Sequence, residues 1–542
     1  MLKISNLDCY QSLIDAEIES FQNEDFTRRI FNQDHTLWQS SSIEASNRLG
    51  WLNVLDSMSI NITTIEDFVS EISDFGYRYV VLMGMGGSSL GPAVINRVFG
   101  NITGHFKLIV LDSTVPEAIR RLVNQIDISK TLFLVSSKSG NTLETNNLYN
   151  YFRDVVETKL GSIKAGEHFV AITDSGTSLN RLADTSGFRH VFENPSDIGV
   201  RYSILSYFGL VPAALIGVDI EKLLNNAKSM RRMILDNTLT RENSPVFLGS
   251  VMGVLSLAGR DKLTISSTGE ISAMGPWIEQ LISESLGKNN KGLIPINIEK
   301  VMEPDCYDDD RFFVHFDIGK TSLQEDISNL ERIEESGHPV LRVSLNDRYD
   351  LGGEFFRWQF MTAVAGSVIG VNPFNQPNVE ASKKATQIAL ANFKEDGALP
   401  KIATITNIFQ LLQSSVSGGY LSIMAYLDDT PALCYALSNL QDVLINKRKI
   451  TSTVGFGPSF LHSTGQMHKG GPDKGVFLQL LGDNSLDIDI PGQSYSFGQL
   501  AHAQAAGDFQ TLITAGKKVF RINIQSDPVS YIDNIATAIE EV

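Results

Sequence analysis

From residue 79 onward, short runs of apolar and β-branched residues alternate with stretches whose apolar positions recur at helical spacing. The runs are RYVVLMG (78–84), HFKLIVLDS (105–113), TLFLVSS (131–137) and HFVAITDS (168–175). Between them the spacing predicts helices near 90–99, over PEAIRRLVNQI (116–126) and over TLETNNLYNYFRDVVETKL (142–160). Strands that are apolar throughout, rather than alternating, are buried on both faces, as in a parallel sheet covered by helices. This predicts a doubly wound α/β unit.

A polar helix near 219–235 leads to TRENSP (240–245), where Pro and Asn break helical periodicity and mark a boundary. A second α/β unit is expected from KLTISST (262–268), GLIPI (292–296), RFFVHFDI (311–318) and HPVLRVSL (338–345), with helices after the first and last. After GALPKIATITN (397–407), a smaller unit is expected from YLSIMAYL (420–427), a helix near 431–445, VFLQLLG (476–482), a helix near 497–516, KVFRINI (518–524) and a last helix. The expected class is α/β: two doubly wound parallel-sheet αβα sandwiches, 53–220 and 221–395, behind an extension and linker, 1–52, and ahead of a C-terminal α/β domain, 396–542.

Composition narrows the partners. A chain of 542 residues suits about three domains. A formal charge of -17 disfavours nucleic acid and anionic membrane surfaces. Cys9, Cys306 and Cys434 form no metal-ligand or redox spacing, and the polar amino terminus lacks a signal peptide's apolar stretch, so a cytoplasmic chain is expected. FFRWQFMTAVAGSVIGV (355–371) holds Arg357 and Gln359, which argues for a buried helix over a membrane span.

Four segments carry candidate chemistry. GMGGSSLGP (84–92) follows a strand and precedes a helix, so its glycines can turn N–H groups toward a phosphate or a sugar hydroxyl. Ser89 stands where a dinucleotide fingerprint wants Gly or Ala, which demotes that alternative. SSKSGNTLET (136–145) sets the hydroxyls of Ser137, Ser139 and Thr142 around a Gly turn beside Lys138, a composition suited to a phosphate monoester or to plain helix capping. Glu144, on the first helical turn, is explained by dipole pairing alone.

Gln280 and Glu284, four apart in WIEQLISESLGKNNKG (277–292), share a helix face. A carboxylate tuned by burial can move a proton between adjacent carbons without metal or nucleotide, although a lone helical Glu is more often solvated. Arg201, in DIGVRYSIL (197–205), either stabilises a developing enediolate or forms a surface ion pair.

Taken together these segments resemble the phosphoglucose isomerase family. GMGGSSLGP looks like its GIGGS turn, SSKSGNTLET like its phosphate loop, DIGVRYSIL like its segment around the catalytic Arg, and QLISESLGK like the segment holding the base. PFNQPNVEASK (373–383) is similar to its FDQWGVELGK run. The linker LWQSSSIEASNRLGWL (37–52) and the carboxyl-terminal third look like the isomerase half of bifunctional transaldolase/phosphoglucose isomerases, without the transaldolase half.

The resemblance implies two sugar isomerase domains and the conversion of glucose 6-phosphate to fructose 6-phosphate in glycolysis and gluconeogenesis, with no metal and no cofactor. The alternatives are a dual phosphoglucose/phosphomannose isomerase and a non-catalytic sugar-phosphate binding module. It implies phosphate binding by Ser137, Ser139 and Thr142 with Lys138 and Ser88 around them, enediolate stabilisation by Arg201, and proton transfer by Glu284. Gln280 and Gln376 would line the sugar site, and Lys383 would assist ring opening or hold the substrate. A homodimer is expected because the family commonly completes its site across one.

The sequence departs from the family at Val200, Gly140 and Asn141, and no TNGQH segment carrying the ring-opening His follows Glu284. His315 has near the right spacing but sits in an apolar strand. STGQMH, within 457–475, looks like that segment, so the ring-opening role is expected of His468 or His462, with His468 favoured and His462 otherwise at the substrate.

Overall fold

The computed structural model describes residues 2–38, 46–236, 244–297, 299–319, 324–396, 402–405, 408–412, 418–483, 486–525 and 527–541. Most of the expected boundary segments, 39–45, 240–243, 397–401 and 406–407, lie outside the described residues.

The chain opens on a short strand, β1 (Leu2–Ser5), followed by the helices Gln11–Asn23 and Ile62–Ser73 among others. The first sheet holds β2 (Tyr79–Gly84), β3 (Lys107–Leu111), β4 (Thr131–Ser136), β5 (Phe169–Asp174) and β6 (His190–Asn194) in the order β3-β2-β4-β5-β6, all parallel. β4 and β5 are buried at every position, as continuous apolar strands between two helical layers must be.

The second sheet holds β7 (Lys262–Ser267), β8 (Ile294–Asn297), β9 (Arg311–Ile318) and β10 (Val340–Leu345), ordered β1-β10-β9-β7-β8, with β1 antiparallel on its edge. The third holds β11 (Tyr420–Tyr426), β12 (Ser452–Phe456), β13 (Gly475–Gly482) and β14 (Lys518–Ile524), ordered β12-β11-β13-β14 and parallel. The α/β class with doubly wound parallel sheets is therefore the observed one.

Three strands escape the apolar-run reading, β1, β6 and β12, and each is an edge strand. An edge strand has one neighbour and partial cover, so LKIS, HVFEN and STVGF carry polar residues that break the continuous pattern. The helix Gln324–Glu335, between β9 and β10, was likewise not expected.

The apolar run 355–371 falls largely within the helix Leu351–Ile369, which is buried over most of its length, with Arg357 paired to Glu354 at 3.0 Å. Among the described residues no helix is long and apolar enough to cross a membrane.

The first sheet places its chemistry by topology. From β2 the chain steps to one side to form β3 and then crosses to the other side to form β4, so the carboxyl ends of β2 and β4 flank the point where the winding reverses. Crevices at such reversals are where open α/β sheets hold ligands. GMGGSSLGP leaves from β2 and SSKSGNTLET from β4.

Candidate active site

Two glycines let the β2 turn approach its neighbours. Gly86 has φ +54, and a Cβ there would lie 2.5 Å from the carbonyl oxygen of His462 and 2.7 Å from Nε2 of Gln280. A Cβ on Gly87 would overlap the carbonyl of Val200. The turn thus meets three segments remote in sequence: the Val200–Tyr202 turn, the helix Met274–Leu286, and the Ser459–His462 turn after β12.

On the β4 side, Ser137 Oγ and Thr142 Oγ1 pair at 2.8 Å, and Ser139 Oγ accepts from the N–H of Asn141 at 3.2 Å. Thr142 makes no side-chain cap to the helix Leu143–Leu160 it precedes, so that helix start is not closed by its own N-cap side chain. Lys138 is committed elsewhere: its ammonium pairs with Asp174 at the end of β5 and donates to the Ser196 carbonyl at 2.9 Å. Ser88 is buried beneath the turn, and its carbonyl accepts from Ser136 Oγ at 3.3 Å.

Arg201 is the hub. Its Nη1 reaches Glu284 Oε2 at 3.4 Å and Gln376 Oε1 at 3.3 Å, its Nη2 donates to the carbonyls of Pro373 and Asn375 at 2.9 Å each, and its Nε donates to Ser285 Oγ at 3.1 Å. That turn is set by Asn372, whose side chain accepts from the Phe374 N–H at 2.9 Å. Lys288 donates to the carbonyls of Ser285 and Asn372, tying the end of the Glu284 helix to the same turn.

Arg201 and Glu284 are 4% and 3% exposed. Burial raises the Glu284 carboxyl above its usual 4.5, while the positive charges of Arg201, His462 and Lys288 pull it back. Among the described residues, Gln280 Oε1 and Asn375 Oδ1 are buried beside this pair without a hydrogen-bond partner, leaving acceptors free at this space.

His462 faces the same space. Its Nε2 meets Glu144 Oε1 at 2.9 Å, and its carbonyl accepts from Gln280 Nε2 at 2.8 Å. Burial opposes its positive charge, but Glu144 and Glu284 outweigh that and raise its pKa above the usual 6.5. Glu144 is itself buried; burial works against its charge, and His462 with Gln504 overcomes this to lower its pKa.

His468 is corrected by the packing. Its ring lies among Phe460 and Phe477, Nε2 is 3.2 Å from Ser422 Oγ on β11, and burial pushes its pKa well down. It stands six positions beyond His462, and it turns into the core beneath the third sheet. His315 is buried on β9, its Nδ1 2.8 Å from Ser266 Oγ. Lys383 is exposed and pairs with Glu380 at 2.9 Å, close enough to oppose the charge on His462. Of the expected residues, Arg201, Glu284, Gln280, Gln376 and His462 converge. Ser137 and Thr142 sit at the adjoining β4 turn.

Glu144 and Gln504 are the participants that local reading missed. For Glu144 the signal was its place in the ET pair closing SSKSGNTLET, set aside because the helix dipole already accounted for it. Gln504 has no local signal at all.

A model of the phosphoglucose isomerase family matches residues 71–293. A protein named a probable glucose-6-phosphate isomerase in Methanococcus maripaludis is 27% identical over 395 residues, covering 65% of this chain and 86% of that one. A glucose-6-phosphate isomerase of Prochlorococcus marinus is 29% identical over 435 residues, covering 69% and 80%. Among solved structures, the fold is shared with a glucose-6-phosphate isomerase of Chlamydia trachomatis at a TM-score of 0.56 and 19% identity, covering 71% of this chain and 86% of that one.

Proposed function

We propose that this chain, which belongs to the phosphoglucose isomerase family, interconverts glucose 6-phosphate and fructose 6-phosphate. The observation that carries the proposal is the buried Arg201–Glu284 pair facing His462 at the winding reversal of the first sheet. In this reading the units 53–220 and 221–395 supply the phosphate turn and the base, and the unit 396–542 supplies the imidazole.

The phosphate sits against the hydroxyls of Ser137, Ser139 and Thr142 and the amino end of the helix Leu143–Leu160. His462, protonated against Glu144, gives its proton to the ring oxygen as the C1–O bond of the ring breaks, and the C1 hydroxyl loses its proton to solvent to become the aldehyde. The Glu284 carboxylate then takes the proton from C2. The cis-enediolate charge that forms is met by the Arg201 guanidinium, already held in place by two carbonyls and Gln376. Glu284 returns the proton to C1 while O1 gains a proton and O2 loses one, which leaves the ketose. Gln280 and Gln376 hold sugar hydroxyls.

The direct test is fructose 6-phosphate as substrate, with glucose 6-phosphate formation read through a coupled dehydrogenase. Absence of turnover by the purified chain would sink the reading.

Two further results are expected. The pH profile of kcat/KM on ring-closed substrate is bell-shaped. Its acid limb lies above the usual carboxyl value of 4.5, because Glu284 must ionise and burial raises it; its alkaline limb lies above 6.5, because His462 must keep its proton and its carboxylate neighbours raise it. A limb order or position opposite to this contradicts the assignment. Second, His462→Ala should lower kcat/KM on fructose 6-phosphate by about 100-fold, within the usual range for a lost general acid. It should barely change kcat/KM on 5-deoxyfructose 6-phosphate, which lacks the hydroxyl that closes the furanose. Equal losses on the two would remove His462 from ring opening.

A further inference from the structure

Gln504 lies on the helix Phe497–Thr514, which packs beneath the third sheet, far in sequence from the phosphate turn. Its Nε2 donates to Glu144 Oε1 at 2.6 Å, the same oxygen that meets His462. Its Oε1 accepts from the hydroxyl of Thr114, fully buried just beyond β3, at 3.2 Å. The Thr114 hydroxyl makes the amide's orientation matter, because the oxygen is occupied there and the NH2 group is the side left facing Glu144. Gln504 is 2% exposed, so an unpaired amide at that place would be costly.

The helix itself is firmly seated. Asp508, one turn on and on the same face, pairs with Lys469 at 2.7 Å and accepts from Gln479 of β13 at 3.4 Å. Lys469 lies in the short helix Gly465–Gly470 that follows the His462 turn. The unit that delivers His462 therefore also delivers the amide that holds its carboxylate partner.

We propose that Gln504, oriented by Thr114, is a positioning residue: it fixes the Glu144 carboxylate so that Glu144 holds the His462 imidazole at the ring oxygen. This rests on the reading of His462 as the ring-opening group. The charged groups facing the imidazole are Glu144 from the helix Leu143–Leu160, Glu284 from the helix Met274–Leu286, Asp112 beyond β3 and Lys383 from the helix Val379–Asp396. Gln504 is the neutral group that donates to one of them.

The test compares Gln504→Leu, Gln504→Glu and Thr114→Val with the parent on two substrates, fructose 6-phosphate and 5-deoxyfructose 6-phosphate. Gln504→Leu should lower kcat/KM on the first by about 10- to 100-fold, as for a lost hydrogen bond to a charged group, and leave the second nearly unchanged. Thr114→Val should give the same selectivity with a smaller loss. Gln504→Glu provides the rescue: while the introduced carboxyl is protonated it donates to Glu144 as the amide does, and once ionised it repels Glu144. Its activity relative to the parent on fructose 6-phosphate should therefore be nearest normal at low pH and fall as pH rises.

Equal losses on both substrates in Gln504→Leu, or a flat pH ratio in Gln504→Glu, would overturn the positioning role. Should His462→Ala lose both substrates equally, the ring-opening reading fails instead. A selective His462→Ala beside an unselective Gln504→Leu brings down this inference alone.

Discussion

Glu284→Gln is expected to lower turnover by roughly 10²- to 10⁴-fold, the usual contribution of a positioned general base, with only a modest change in KM. The amide keeps the size of the side chain and can still meet Arg201 and line the same space, so substrate binding survives. What disappears is the proton acceptor, because an amide cannot take a proton from carbon at any accessible pH. Since Glu284 is 3% exposed and is the counter-charge of the buried Arg201, the thermal midpoint should fall somewhat, but less than when Arg201 is removed, because the amide oxygen still accepts from Arg201. Loss of the base is thus separable from loss of the fold. The loss should be equally severe on 5-deoxyfructose 6-phosphate, since proton transfer follows ring opening for either substrate. Near-normal turnover in this variant would end the mechanism.

Arg201→Leu should show both catalytic and structural loss. The guanidinium occupies two carbonyls, a serine, a glutamine and the base at once, and its removal takes that donor from each of them, although Ser285 Oγ keeps the Tyr202 hydroxyl at 3.4 Å. Breaking a buried pair from one side costs ~3–5 kcal/mol, read as a lower midpoint in urea. With that cation gone, only His462 and Lys288 remain to oppose burial, so the Glu284 pKa climbs further and less of it is ionised at neutral pH. Turnover should fall by about 10²- to 10³-fold, the range for removing one oxyanion donor. The acid limb of the pH profile should move to higher pH in the same variant. Arg201→Lys keeps the charge but not the planar fork, so it should recover part of the pH position and little of the contact to Pro373 and Asn375. A variant that loses stability while turnover and acid limb stay in place would make Arg201 a structural residue.

The central strands were legible because burial on two faces leaves a sequence nothing but apolar residues, and β2, β4, β5, β7, β9, β11 and β13 all fall on expected runs. Of the six edge strands, β3, β8 and β14 also fall on expected runs, while β1, β6 and β12 were missed, where polar residues in LKIS, HVFEN and STVGF break the continuous apolar pattern. The same contrast runs through the site. Gln280 and Glu284 are paired by helix period, and the β2 and β4 turns are marked by strand ends, so these are local facts. Choosing between His462 and His468 is not local. Both stand in one short Gly- and Ser-rich stretch, and only the fold shows that His462, not His468, meets Glu144, 318 residues away in sequence. Val200, a departure from the family pattern, costs nothing in this packing because its carbonyl, not its side chain, meets Gly87.

The late arrival of His462 has a consequence for synthesis. Chains emerge amino end first and their domains fold as they appear. Arg201, Glu284 and Gln376 leave the ribosome together with the sheets that hold them, well ahead of the segment from β11 onward. Under the proposed mechanism, a nascent chain paused there would carry the proton-transfer pair but not His462, the proposed ring-opening group. Its Gly86 would lack the His462 carbonyl that packs against it until that segment arrives. In the proposed mechanism, competence toward the cyclic sugar thus depends on a segment translated well after Arg201 and Glu284.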